Sequence, residues 1–138
     1  MNWKDRCFLC LDEEKLFESS GHRTRFWELL DCYGDYPFFT KGLCKCMYLS
    51  AWDEEHFAIM LETLTSMGLG RETDTEDMRI QGDTLAEAQP DAEYYVYQLS
   101  NAFLDDKPFS LPDNAKLETT QRHIIDQALK AAAVIDHT

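Results

Sequence analysis

Apolar positions are spaced most regularly between Ser50 and Gly68, SAWDEEHFAIMLETLTSMG. There Phe57, Met60, Leu61, Leu64 and Met67 recur at i, i+3, i+4, i+7 and i+10, which is one face of a helix. Ser50 and Asp53 have the S-x-x-D form of a capping box. Glu54 and Glu55 put negative charge where the helix dipole favours it, and Gly68 offers a stop. The pattern predicts a helix against which the others pack.

Elsewhere the period is less regular. Asp12 to Ser19 reads as a short helix with Asp12 as N-cap and Leu16 and Phe17 inward, broken by Ser20-Gly21. A second helix is predicted from His22 to Tyr33, with Phe26, Trp27, Leu30 and Tyr33 on one face, and Gly34-Asp35-Tyr36-Pro37 then turns the chain. Residues 38–49 fit either a helix entering the 50–68 element or an extended segment, with Gly42 counting against a helix.

After a Gly68-Leu69-Gly70 turn, Thr75 to Ala88 carries a thin apolar stripe of Met78, Leu85 and Ala88, with a potential break at Gly82. So thin a stripe predicts marginal packing, which makes this helix the candidate mobile or partner-ordered element. Gln89-Pro90-Asp91 restarts the chain, and Asp91 to Leu104 places Tyr95, Leu99, Ala102 and Phe103 at helical spacing, although Tyr94-Tyr95-Val96-Tyr97 also suits a strand. Asp105 to Pro108 is a loop. Ser110 to Asp113 is a second S-x-x-D box, heading a helix to Ile135 with Leu117, Ile124, Ile125, Ala128, Ala132 and Ile135 inward. The expectation is an all-α, single-domain compact helical bundle of six or seven segments over 1–138; the alternative is α+β with a short strand near 94–99 or 38–49.

Charge changes the picture along the chain. The net charge is −13. Residues 1–50 are nearly balanced, with seven Lys or Arg against eight Asp or Glu, whereas 51–138 carry six against eighteen. Phosphate neutralisation needs the opposite sign, so nucleic acid is not an expected partner; a protein with a basic surface is. The N-terminal residues lack the apolar core of a signal peptide and no run reaches the roughly 20 apolar residues of a membrane span, so no membrane partner and a cytoplasmic location are expected.

The candidate chemistry lies in five cysteines, an odd number that cannot pair completely. Cys7-x-x-Cys10 with Cys44-x-Cys46 could supply four zinc ligands, with His22 and Cys32 in reserve, but only if 44–46 is not helical, since helical residues two apart diverge by about 200°. Asp53 and His56 stand at i, i+3 like half of a di-metal site, without the second pair such a site needs, so His56 reads as a surface or boundary residue. Tyr94 and Tyr97 sit at the boundary of their helix and could mark a binding surface. No phosphate-loop, dinucleotide, serine-hydrolase, zincin or calcium-loop motif occurs, and no residue is nominated as catalytic or cofactor-binding. The expected function is a small acidic helical protein-interaction module, such as an adaptor, assembly factor or inhibitor. The alternatives are a zinc-stabilised domain and an enzyme of unrecognised type.

Overall fold

The structure, a computed structural model, describes residues 2–88, 92–113 and 115–138. Seven helices account for its architecture: α1 (Trp3–Glu13), α2 (Ser20–Tyr33), α3 (Lys41–Ser50), α4 (Glu54–Leu69), α5 (Glu76–Ala88), α6 (Ala92–Leu104) and α7 (Thr119–Asp136). The fold is all-α, and no strand occurs among the described residues. Both stretches considered as strands, 38–49 and 94–99, are helical from Lys41 and throughout respectively. The restart expected at Gln89-Pro90-Asp91 lies outside the described residues.

One local rule starts the first four helices. Asn2, Ser19, Thr40 and Asp53 each adopt extended backbone, and each side-chain oxygen accepts the N–H three residues on, from Asp5, His22, Leu43 and His56. A donor that the helix leaves orphaned is thereby satisfied. This corrects the expected capping box at Ser50: Asp53 is the cap of α4, while Ser50 ends α3 with its hydroxyl turned back to the Cys46 carbonyl. It also corrects the predicted helix over Asp12–Ser19. Asp12 is near the end of α1, and Leu16 and Phe17 reach the core from a loop. Ser20 and Gly21 do not break a helix but begin one.

A second rule ends three helices. Lys15, Arg71 and Asp106 have φ of 56°, 55° and 54°, and no described glycine has positive φ. After α4, the Arg71 N–H donates to the Gly68 carbonyl and the Glu72 N–H to the Met67 carbonyl. This is the Schellman pattern with arginine in the left-handed position that glycine usually fills. Gly68 therefore lies inside α4 and is not its stop. The same two-bond pattern follows α1 around Lys15 and α6 around Asp106. The box at Ser110 likewise starts no helix: α7 begins at Thr119, and Phe109, Leu111 and Leu117 pack on the core from the preceding segment.

The central element is α3, not α4. It meets α2, α4, α6 and α7, and every residue from Leu43 to Leu49 is buried. A helix surrounded on all sides has no polar face, which is why its sequence shows no clean period. Lys45 is accommodated there by an ion pair to Asp136 at 2.7 Å, with its ammonium 5.8 Å from the Phe103 ring centre. Gly42 lets α3 and α6 touch: a Cβ there would lie 2.5 Å from the Phe103 carbonyl oxygen.

The expected break at Gly82 is absent, because α5 is continuous. Gly82 instead lets α5 lie close on α6, where a Cβ would meet Asn101 Oδ1 at 2.4 Å. Asn101 Nδ2 donates to Asp83 and to the Arg79 carbonyl, and Arg79 Nε reaches both oxygens of Asp105 at 2.9 Å. The inward residues of α5 are Met78, Gly82 and Ala86, while Ala88 is exposed. The stripe looked thin because small residues carry the contact.

Candidate functional site

The cysteines are not gathered into one cluster. Both Cys44 and Cys46 are on α3, and their sulfurs diverge as helical geometry requires. Cys44 Sγ lies 4.0 Å from Cys7 Sγ, whereas Cys46 Sγ donates to the Ser100 carbonyl at 3.2 Å on the α6 side. Cys10 is half-buried on α1 and Cys32 is exposed on α2. Among the described residues no three His, Cys, Asp or Glu side chains are placed to hold a metal ion. The ligand set Cys7, Cys10, Cys44 and Cys46 is therefore not assembled.

The reserve ligand His22 is fully buried and structural. Its Nδ1 accepts the Glu18 N–H, which places the ring proton on Nε2, the donor to the Tyr48 carbonyl at 2.8 Å. Burial holds its pKa below the ordinary histidine value. Tyr48, whose hydroxyl donates to the Leu16 carbonyl, fixes the same junction of α2 and α3.

His56 is buried, not exposed. Asp53 Oδ1 lies 2.7 Å from both its backbone nitrogen and its Nδ1, so one carboxylate caps α4 and orients the ring. With Cys46, Met60, Gly82, Val96 and Ser100 it lines a cavity of about 60 Å³ between α3, α4, α5 and α6. That is room for a few water molecules. Burial pushes the Cys46 thiol up to about 12, and its hydrogen goes to a backbone carbonyl, so Cys46 is not an activated nucleophile.

One exposed apolar surface without an internal role is the outer side of α4. Ala58, Leu61, Thr65 and Leu69 follow one another along it, spaced as a single stripe and bordered by Glu62 and Ser66. Leu69 is 82% exposed and Leu61 37%, so Leu61 does not face the core as its spacing suggested. The Thr65 hydroxyl is occupied by the Leu61 carbonyl and Tyr33, so it offers little to water. Beside the stripe, a groove of about 360 Å³ separates α4 from α5, bridged by Thr63 and Gln81. Glu62, Glu72 and Asp77 line it. Glu72 hydrogen-bonds Asp77 and has Asp74 nearby, which together hold its carboxyl above the usual range.

Between 51 and 88 there are ten acids and two arginines, and Arg79 is engaged by Asp105 and Asp83. Sequence reasoning found the acidity but missed the stripe; the readable signal was Leu69, an apolar residue flanked by two glycines. Tyr94 and Tyr97 are half-buried, with Tyr94 edge-on to Tyr95 and Tyr97 beside His56, so their rings are largely spent on internal packing.

No helix among the described residues is long and apolar enough to cross a membrane. Comparison of the chain with protein-family models, curated protein sequences and solved structures gave no match.

Proposed function

We propose that this chain is a protein-interaction module that docks a basic amphipathic helix of a partner protein on the outer side of α4. The observation that carries this reading is the adjacency of an exposed apolar stripe, Ala58, Leu61 and Leu69, to a groove lined by Glu62, Glu72 and Asp77. Apolar anchors on the partner would cover the stripe, as in helix-in-groove recognition, while its lysines or arginines would meet the carboxylates. Crowding favours that outcome: Asp77 and Asp74 hold the Glu72 carboxyl above its usual range, so its negative charge is disfavoured there, and a cation beside it would offset that. A second copy of this chain is disfavoured as occupant, because α4 contains three glutamates and no lysine or arginine, and its own acids would oppose one another.

The test uses a designed helical peptide with leucine on one face and lysine around it, measured by fluorescence anisotropy. Binding should weaken by about tenfold for Leu61→Ser/Leu69→Ser, a difference of about 1.4 kcal/mol. It should also weaken as salt rises from roughly 50 to roughly 500 mM, since exposed charges are screened over that range. Equal affinity for the double variant would remove α4 from the interface, and salt-independent binding would remove the carboxylates.

A further inference from the structure

Two buried thiols, one on α1 and one on α3, lie against each other. Cys7 and Cys44 are both fully buried, with their sulfurs 4.0 Å apart and a sequence separation of 37. The surroundings make the pair unequal. Cys7 is lowered by its hydrogen bond with Cys44, against the effect of burial, with help from Thr138 and the Lys41 ammonium. Cys44 is raised by that same hydrogen bond and by burial. Of the two sulfurs, Cys7 is the easier to ionise and Cys44 the harder, an inequality that suits one to attack first and the other to resolve in thiol–disulfide exchange.

We propose that Cys7 and Cys44 form a redox-closed clasp, a disulfide joining α1 to α3 on exposure to a low-molecular-weight disulfide. In the first step the Cys7 thiolate attacks one sulfur of the small disulfide, forming a mixed disulfide and releasing one small thiolate. In the second, Cys44 attacks the Cys7 sulfur, the second small thiolate leaves, and the Cys44 proton passes to it. Two protein thiols are oxidised and one small disulfide is reduced to two thiols.

Access is through the segment covering the pair. The last turn of α7 is tied there by Arg6 Nη2 to the Thr138 carbonyl and Lys41 Nζ to the Asp136 carbonyl, both exposed and 3.3 Å long. The Lys45–Asp136 ion pair at 2.7 Å holds the same end, so a small disulfide reaches the sulfurs only when this turn opens locally and that pair breaks. The other cysteines are placed differently. Cys32 is exposed on α2, and Cys46 faces α6.

The full chain should be incubated with oxidised glutathione, alkylated after denaturation and mapped by mass spectrometry. The expected result is a peptide linking Cys7 to Cys44 and a melting temperature raised by about 10 °C, as closing a loop of this length predicts. Cys10→Ser/Cys32→Ser should still form the link, and Cys44→Ser should leave Cys7 as a glutathione adduct. The double variant lacks only the two cysteines outside the buried set, so it keeps the test open even if Cys44→Ser does not fold. Glutathione adducts confined to Cys10 and Cys32, with Cys7 and Cys44 still alkylatable, would overturn the proposal. So would a Cys7–Cys10 link.

Discussion

Helices α3 and α4 are neighbours in sequence and in space, yet they are opposite kinds of helix. The first is enclosed by four other helices and tolerates one charged side chain only because Asp136 reaches it. The second packs mainly on α2 and α3 and leaves a stripe of Ala58, Leu61 and Leu69 on its far side. The difference teaches that amphipathic regularity marks half-buried helices. Periodicity is contrast between two faces, and a fully enclosed helix has none to show.

The sharpest way to break this comparison is to truncate one leucine on each helix. Leu43→Ala should cost about 2–5 kcal/mol, because its side chain is completely buried and the cavity left cannot fill with water. Leu69→Ala should change stability by less than about 0.5 kcal/mol, since its side chain is already in water. Urea unfolding with matched slopes would measure both. Similar costs at the two positions would mean that α4, not α3, is the centre of the fold.

Much of the all-α architecture could be read in advance, because His22 to Tyr33, the Phe57–Met67 face and the Ile124–Ile135 face each repeat at helical spacing. What could not be read falls into three physical classes. Start signals were ambiguous, since Ser50 and Asp53 are both capping residues and only tertiary packing decides which of them ends α3 and which begins α4. Stop signals were hidden, because the left-handed positions are held by Lys15, Arg71 and Asp106 and not by glycine. Close helix contacts at Gly42 and Gly82 read as helix breakers because the partners that need the space, Phe103 and Asn101, are distant in sequence. The candidate face was legible only in its acidity. Its apolar half depends on which side of α4 the core takes.

A smaller effect tests how α3 is held. His22 donates to the Tyr48 carbonyl and accepts from the Glu18 N–H, so a second ring proton would confront a donor already in place. Its pKa is lowered first by burial and further by the Arg25 charge, while the Tyr48 carbonyl and Glu18 act in the opposite direction. A histidine depressed in the folded state leaves the unfolded chain holding more protons below about pH 6.5, so stability is full above that value and falls as pH drops toward the folded pKa. His22→Gln should remove this part of the slope. If unfolding free energy measured between roughly pH 5 and 7 changed equally in both proteins, His22 would not be the group responsible.

The smallest expected effect concerns the end of α4. Arg71 occupies a left-handed conformation at φ 55°, where a side chain costs roughly 1–2 kcal/mol that glycine does not incur. Glycine gives part of that back through the extra freedom of the unfolded chain, so Arg71→Gly should stabilise by about 0.5–1 kcal/mol. Removing the arginine also removes a positive charge from the acidic face, and Arg71→Ala separates the two effects: alanine loses the same charge but keeps the backbone cost. The glycine variant should therefore melt above the alanine variant by a few degrees. Equal melting temperatures would show that the turn after α4 stores no backbone strain, and that α4 is terminated by its position against α3 and not by the residue that follows it.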